Sequence, residues 1–503
     1  MEYLEDDGKL AFQKTEESVL DADTEPNPTG AILYHSEGSR ADNSAESDVF
    51  LVGFEKCDDI DPRKWSKWYL HYVTCVAVTL TSYAMISSTI PTAFAQEMAT
   101  ELKLNSWSVD LAISHYEICF CAGPLIWGPL SDKFGRRRVL LLCVNGLALL
   151  HMGCALSQSA GAATFVRILA GLFASGLLPV SGAIVADIWD LQAEEQRLAA
   201  FVFPFATPQG GPSLGAMMAM SGIGWRGIFW VSAIFGGVFA ALIAATLPET
   251  HRPTILVRHA SMLRLDTRDD RYRAPLELAP ESKVRILAML THEPVLILLS
   301  LYFSSVVACL NIFFEALVIA SAKFTPITAR ALASPTVLMG ALIGTILYEL
   351  VLRPWFYLRR ICRYSHECVP PEQRLAMAIG ATPFVAMGVF WFGWTLFPGI
   401  SLAAPLFAAL FIGISSYWLM FVILAYIIDV YTNITATALG CCIAASNLFP
   451  AVLPVICPHI FRVLGLHWAS SLSGCLMIAT IAFPLVLMRY GSTLRAKSRY
   501  ARQ

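Results

Sequence analysis

The sequence predicts an all-α membrane protein made of two six-helix bundles with a central cavity. Three observations carry this: the shortage of charge, a succession of apolar runs, and one long polar interruption near the middle. The chain has 503 residues, 56% apolar and only 15% charged, with a mean hydropathy of +0.58. A soluble chain carries about 25% charged residues. The deficit extends over most of the length, which excludes a soluble enzyme. A net charge of −2 offers no basic surface for nucleic acid. Most of the 13 cysteines, among them Cys75, Cys119, Cys121, Cys143, Cys154, Cys309, Cys441, Cys442 and Cys475, lie inside apolar runs as small hydrophobes. No secreted disulfide framework or CxxC pair is visible.

Residues 1–67 hold 17 Asp and Glu against 7 Lys and Arg and show almost no apolar periodicity. That composition predicts a disordered acidic tail. It lacks the basic and apolar blocks of a signal peptide. From Trp68 onward, apolar stretches long enough to cross about 30 Å of hydrocarbon follow one another. They predict helices near 69–92, 111–130, 139–158, 164–187, 199–219 and 226–247, which form a first bundle over 68–247. A second set near 294–320, 334–353, 376–398, 402–428, 436–460 and 467–488 forms another bundle over 294–488. Between them, 248–293 reads as a basic linker, and 489–503 as a basic tail. Six spans, a linker and six spans is the plan of a two-half secondary transporter.

Loop charge predicts the orientation. The two tails, the linker and the 2–3, 4–5, 8–9 and 10–11 loops together hold 30 of the 36 Lys and Arg. The positive-inside rule therefore places both termini in the cytoplasm. The sequon Asn433-Ile-Thr435 falls in the 10–11 loop and is expected to escape glycosylation.

The sharpest local pattern follows the second span: Gly128-Pro-Leu-Ser-Asp132-Lys133-Phe-Gly135-Arg136-Arg137-Arg138-Val-Leu140. A loop this short must reverse tightly, which suits Gly135. Asp132 can face a helix N-terminus or an arginine. The spacing is too detailed for topology charge alone. The segment resembles the signature loop of the major facilitator superfamily, with Lys133 where arginine is commoner. Arg167-Ile-Leu-Ala-Gly171 looks like the superfamily's next signature, whose arginine is implicated in proton coupling. Gly211-Pro212-Ser-Leu-Gly215-Ala216 resembles the Gly-Pro motif of its exporting, proton-antiporting branch. There, Gly and Pro permit close helix approach and a bend.

Further segments look like one fungal subfamily, the twelve-span drug:proton antiporters that include multidrug, polyamine and fungal-metabolite exporters. They are GWRGIFWV (224–231), LPET (247–250), DTRDDRYRAPLE (266–277), LSLYFSSVVACLNIFFEA (299–316), PPEQRL (370–375) and LGLHWASSLSG (464–474). The resemblance covers about residue 60 to the C-terminus. It implies the major facilitator fold, with Asp132, Arg136, Arg167, Gly211, Pro212 and Gly215 in transport or gating. The chain departs from the pattern at Glu117, usually aliphatic, and at Ser446, often arginine.

Carboxylates within spans are costly and default to a functional reading. Glu117 shares a helical face with Ser114, Cys121, Pro124 and Gly128, a small and polar stripe that faces protein. Glu315 lies with Ser304, Ala308 and Asn311 in the same way. Glu117, Glu315 and Asn311 are the candidates for binding a proton or a cationic substrate, against a structural hydrogen-bonding role. Glu349 reads as the partner of Arg353, one turn away. Asp187, Glu194, Glu195 and Arg197 close the fourth span as either a gate latch or a solvated loop. His115 and Cys119 share a face, but Cys121 points elsewhere, so no metal set is expected. No phosphate-cradling loop and no nucleophile–base constellation is present, so neither an enzyme nor a nucleotide-driven pump is expected, and no cofactor.

The sequence therefore predicts proton-driven export of small organic compounds such as drugs, toxins or fungal metabolites. The expected partners are a small-molecule substrate, protons and the lipid bilayer, with the chain acting as a monomer in the plasma membrane. The alternatives are a polyamine or other cation transporter, for uptake or for loading across a vacuolar membrane, and a non-transporting membrane sensor.

Overall fold

The computed structural model describes residues 50–54, 60–102, 106–189, 211–278, 286–324, 328–352, 371–395, 400–401, 403–431, 434–496 and 498. Its contacts divide the chain into two units, Met1–Lys64 with Arg252–Ser282 and Trp65–His251 with Lys283–Gln503.

The smaller unit begins with the strand β1 (Phe50–Leu51), which pairs in parallel with β2 (Tyr272–Arg273). Val52 N–H continues the ladder to Arg273 O at 3.0 Å. Between the strands in sequence lies the linker helix Arg252–Thr267. Val52 is fully buried with Ala260, Tyr272 and Ala274, and Leu256, Val257 and Leu263 pack around them. Arg264 forms a two-pronged ion pair with Glu277, at 2.9 and 2.8 Å. That guanidinium holds the Glu277 carboxyl below the usual carboxylate range. Arg252 pairs with Asp61 at 3.2 Å and lies 4.9 Å from the centre of the Phe54 ring.

This corrects the expectation of disorder across 1–67. Phe50–Phe54 is ordered because Phe50 and Val52 find Tyr272 and the apolar face of a helix about two hundred residues on, while Phe54 meets Arg252. Local composition cannot reveal such a partner. Residues 1–49 lie outside the described part.

The larger unit is helical. Its helices are α1 (Lys67–Thr89), α2 (Ser106–Phe134), α3 (Arg136–Leu156), α4 (Ala160–Ile188), α5 (Gly211–Met220) and α6 (Trp225–Thr246). They continue as α7 (Pro294–Phe324), α8 (Thr328–Leu347), α9 (Leu375–Thr395), α10 (Ala403–Val430), α11 (Thr435–Leu448), α12 (Leu453–Ala479) and α13 (Ala482–Ala496). Among the described residues ten helices are long and apolar enough to cross a membrane. The 29-residue α2 exceeds the crossing length as well. Most of the fifth predicted span, with Glu194, Glu195 and Arg197, lies outside the described residues, as do Arg353 and Asn433.

Helix starts follow capping rules. Ser66 accepts the Tyr69 N–H before α1, and Ser159 accepts the Ala162 N–H before α4. Hydroxyls inside the spans bond back to their own turn, as Thr74 does to Leu70 O and Thr81 to Ala77 O. This satisfies polar groups where water is absent. The eleventh predicted span, 436–460, is interrupted at a 3-10 turn, Pro450–Val452, because Pro450 and Pro454 break the helical ladder. Gly465, at φ 76°, turns the chain into the last crossing.

In the first bundle α2 packs on α4, α3 on both α4 and α6, and α1 on α4. In the second, α8 and α9 pack on α10, α9 on α12, and α7 on α11 and α12. The bundles meet chiefly where α2 lies against α11 and α5 against α8.

Candidate transport site and inter-bundle latch

Gly135 separates α2 from α3 with φ 94°, a conformation that favours glycine, and its place is pressed by the Glu249 carboxylate. Glu249, just beyond α6, accepts the backbone N–H of Arg136 at 2.7 Å and caps α3. An anion at a helix N-terminus also meets the positive end of its dipole. Arg136 is only 2% exposed. Its Nη1 donates to Ser131 Oγ at 2.7 Å and to Asp132 Oδ1 at 2.5 Å, while its Nε donates to Asp187 Oδ2 at 3.0 Å. One guanidinium thus ties the ends of α2, α3 and α4, and compensating partners surround its buried charge.

The other oxygen of Asp132 crosses to the second bundle. It accepts the Thr437 backbone N–H at 3.1 Å and the Thr437 hydroxyl. Thr437 lies in the first turn of α11, so Asp132 meets a helix N-terminus with one oxygen and Arg136 with the other. The helices come this close because they are glycine-lined. A methyl group at Gly128 would meet Ala436 O at 2.9 Å, and one at Gly440 would meet Pro124 O at 2.6 Å.

Deeper in the first bundle, Arg167 on α4 is 4% exposed. It donates to Ser87 O at 3.2 Å and Ser88 O at 3.3 Å on α1. Its guanidinium stands 4.4 Å from the Tyr116 ring centre and 5.7 Å from that of Phe229. Carbonyl dipoles and aromatic faces replace the water it has lost. Gly171, one turn on, presses directly on Tyr116 O, so the Arg-x-x-x-Gly spacing brings α4 against α2 at Tyr116 and Glu117. His151 on α3 is 1% exposed and lies 3.2 Å from Tyr83 Oη, which donates to Ser232 O at 2.8 Å.

Glu117 is half-buried and lies within electrostatic reach of Arg167 and, across the bundle boundary, of Glu315 on α7. Glu315 in turn acts on Cys457 of α12. The amide of Asn311, one turn before Glu315 on α7, donates to Pro450 O at 3.4 Å, at the break after α11. Ser446 is fully buried and returns its hydroxyl to Ile443 O. Gly211 and Gly215 are buried against the end of α1, where Thr89, Ile90 and Ala93 fill the space a side chain would need. Pro212 lies within α5 between them.

The sequence reading singled out Asp132, Arg136 and Arg167 but not Thr437, Glu249, Tyr83 or His151. Glu249 carried one usable signal, a carboxylate directly after an apolar span. Thr437 carried none, because its role depends on which helix lies opposite. Among the described residues no group of three or more His, Cys, Asp or Glu could hold a metal ion.

Two helical bundles joined across glycine-lined faces, with buried charges at their boundary, define a membrane carrier of the two-half class. The family description Major Facilitator Superfamily matches residues 75–440, and the chain belongs to that superfamily. It is a multi-pass membrane protein of a transporter family, not of an enzyme family. The citrinin biosynthesis cluster MFS transporter mrr1 of Monascus ruber is 30% identical over 501 residues, covering 96% of this chain and 99% of its own. The major facilitator superfamily multidrug transporter mdrA of Aspergillus fumigatus is 29% identical over 487 residues, covering 93% and 78%. The solved structure of the proton:xylose symporter XylE superposes with a TM-score of 0.64 at 16% identity, over 85% of this chain and 96% of that one. The human organic anion transporter MFSD10 follows at 0.58 and 18%, over 84% and 100%. These two likenesses speak to the fold alone.

Proposed function

We propose that the protein exports small organic compounds, apolar or cationic, in exchange for inward protons. The observation that carries this is the electrostatic coupling of Glu117 to Arg167 in its own bundle and to Glu315 in the other. Two carboxylates within reach of each other repel strongly where water is scarce. A proton or a substrate cation arriving at the pair relieves that repulsion. A site shared by both bundles can therefore feel, and bias, their relative position. Competition between proton and cation for one carboxylate is the simplest form of antiport.

Relatives named for a biosynthetic cluster and for multidrug transport support an exporter of organic compounds. The two carboxylates favour cationic substrates among them, polyamines included. Loop charge supports a cytoplasmic location for both termini and for the Asp132–Thr437 latch. On this reading that latch closes the inner end of the path while the site communicates with the outside.

The test uses proteoliposomes with an imposed pH gradient, one cationic and one neutral fluorescent compound, and wild type beside Glu117→Gln. The pH profile of cation export is expected to flatten in the variant, with the neutral compound affected less. Identical profiles for both compounds in both proteins would reduce Glu117 to a structural hydrogen-bonding residue. Gradient-independent transport would remove the proton from the scheme. An endoglycosidase-sensitive shift that vanishes in Asn433→Gln would reverse the orientation.

A further inference from the structure

One carboxylate gathers three separate segments of the second bundle. Glu293, immediately before α7, is 3% exposed. Its Oε2 accepts the hydroxyl of Tyr431, just past α10, at 3.2 Å, and the hydroxyl of Ser498, just past α13, at 2.5 Å. Tyr431 leads directly to the inter-bundle latch. Its carbonyl accepts the Thr435 hydroxyl at 3.1 Å and the Ile434 N–H at 3.2 Å, and two residues later Thr437 holds Asp132. Ser498 is thus linked to the contact between the bundles through Glu293, Tyr431 and the first turn of α11.

Ser498 itself is half-exposed and stands in Arg495-Ala-Lys497-Ser498-Arg499. Basic residues three and one before a serine and one after it suit an acidic substrate groove. We propose that Ser498 is a phosphorylation site for a basophilic serine/threonine kinase, and that its modification unfastens this end of the second bundle. In the transfer, Ser498 Oγ attacks the γ-phosphorus of ATP and an Oγ–P bond forms. The bond to the bridging oxygen breaks, ADP leaves, and the hydroxyl proton passes to the kinase's catalytic carboxylate.

The consequence follows from charge. Unmodified, Ser498 supplies the proton in its bond to Glu293. The phosphate has no such proton to offer and brings a charge of about −2 toward a nearly buried carboxylate. The modified segment cannot re-dock, Tyr431 loses a neighbour that orders Glu293, and the turn carrying Thr437 loosens. This gives an accessory control on the latch, and a kinase can reach it only if that side is cytoplasmic, as the proposed orientation has it.

The experiment needs neither a known substrate nor a known orientation, so its failure is separable from failure of the transport reading. Full-length protein in detergent micelles is incubated with ATP and the catalytic subunit of a basophilic kinase. Phosphate at Ser498 is read by peptide mass spectrometry, and amide exchange over residues 428–440 is followed. Wild type is expected to take up phosphate at Ser498, and exchange across 431–437 to accelerate about fivefold, as expected when a charge-bearing group displaces a docked segment. Ser498→Ala should take up none there, and kinase treatment should leave its exchange, whatever its starting rate, unchanged. Ser498→Glu should reproduce the acceleration without any kinase, and this variant does not depend on Glu293 being replaceable. Absence of phosphate at Ser498, or phosphate with unchanged exchange, overturns the proposal.

Discussion

The two bundles solve the same problem at the same end with different charges. In the first, the start of α3 is tied to the end of α4 by Arg136–Asp187 and to the residues after α6 by Glu249. In the second, the start of α9 is tied to the end of α10 by Arg374–Asp429 at 2.7 Å, and to α13 by Glu372–Arg495 at 2.8 Å. Each bundle thus fastens its third helix to its fourth and its last. The difference lies in Asp132. In the first bundle an extra carboxylate shares Arg136 and reaches Thr437 across the boundary, whereas the pairs of Arg374 and Glu372 join elements of one bundle. Internal fastening is common to both halves, and the contact across the boundary, which moves on the proposed reading, is an addition made on one side. An arginine held by two carboxylates fixes the side chain of Asp132 where it faces Thr437.

The largest effect that tests this is Arg136→Ala. Removing it leaves Asp132 and Asp187, 17% and 18% exposed, without their shared cation, and breaking such a buried set costs about 3–5 kcal/mol. Arg374→Ala removes a simpler pair at 12% and 16% exposure and should cost about 1–3 kcal/mol. Thermal unfolding in detergent, read side by side, checks the ranking. Equal losses would make the two clusters equivalent and the comparison empty.

Next comes Asp132→Asn against Glu372→Gln. Each keeps size and removes one charge. The first should reach the membrane with normal stability and lose about tenfold in transport rate, the scale of one charge-assisted bond. The second should keep transport within about twofold, because internal fastening tolerates one weakened bond. Full transport by Asp132→Asn would leave the loop a topology signal and nothing more.

Gly440→Ala is expected to act on the boundary without touching charge. Its new methyl meets Pro124 O at 2.6 Å, so α11 must back away from α2. State-dependent alkylation of cysteines placed at the Asp132 end should show that end more open, by about threefold in rate, the mark of roughly 0.6 kcal/mol in a two-state equilibrium. Unchanged labelling would mean that the contact at Gly440 does not limit closure.

How much of this was legible in the sequence follows the same division. The first bundle's fastening was readable because its parts lie together: Asp132, Gly135 and Arg136 fall in five consecutive residues with an intelligible turn. The second bundle's fastening is spread over Glu372, Arg374, Asp429 and Arg495, four isolated charges at span ends that read as topology. Most spans that fall on described residues match helices within several residues, because a span announces itself by length and hydropathy alone; the eleventh and twelfth do not, since the break at Pro450–Val452 moves their boundary. The ordered strand at Phe50 was missed for the opposite reason, since its partner helix lies in what composition describes as a linker. Within the spans, Glu117 and Glu315 stood out as charges among apolar residues, but His151 and Tyr83 did not. Single His and Tyr residues in spans are common, and only packing reveals that His151 adjoins Arg167 through Phe229 and that Tyr83 lies against His151.

The smallest effect separates the two bonds that Thr437 makes to Asp132. Thr437→Val keeps the shape and the backbone N–H, whose bond at 3.1 Å belongs to the helix start and not to the side chain. It removes only the hydroxyl's bond to the same oxygen. A lost hydrogen bond to a charged group costs about 1.5–3 kcal/mol when nothing replaces it. Here the carboxylate keeps Arg136 and the Thr437 N–H, and its 17% exposure admits water, so about 1 kcal/mol is expected. That is roughly a fivefold shift of the latch equilibrium toward the open end. The same alkylation assay should place Thr437→Val between wild type and Asp132→Asn. The double variant should match Asp132→Asn, because without the charge there is little for the hydroxyl to strengthen. If the two substitutions add in full, the hydroxyl acts on something other than Asp132. The moving contact would then rest on the dipole of α11 and the carboxylate alone.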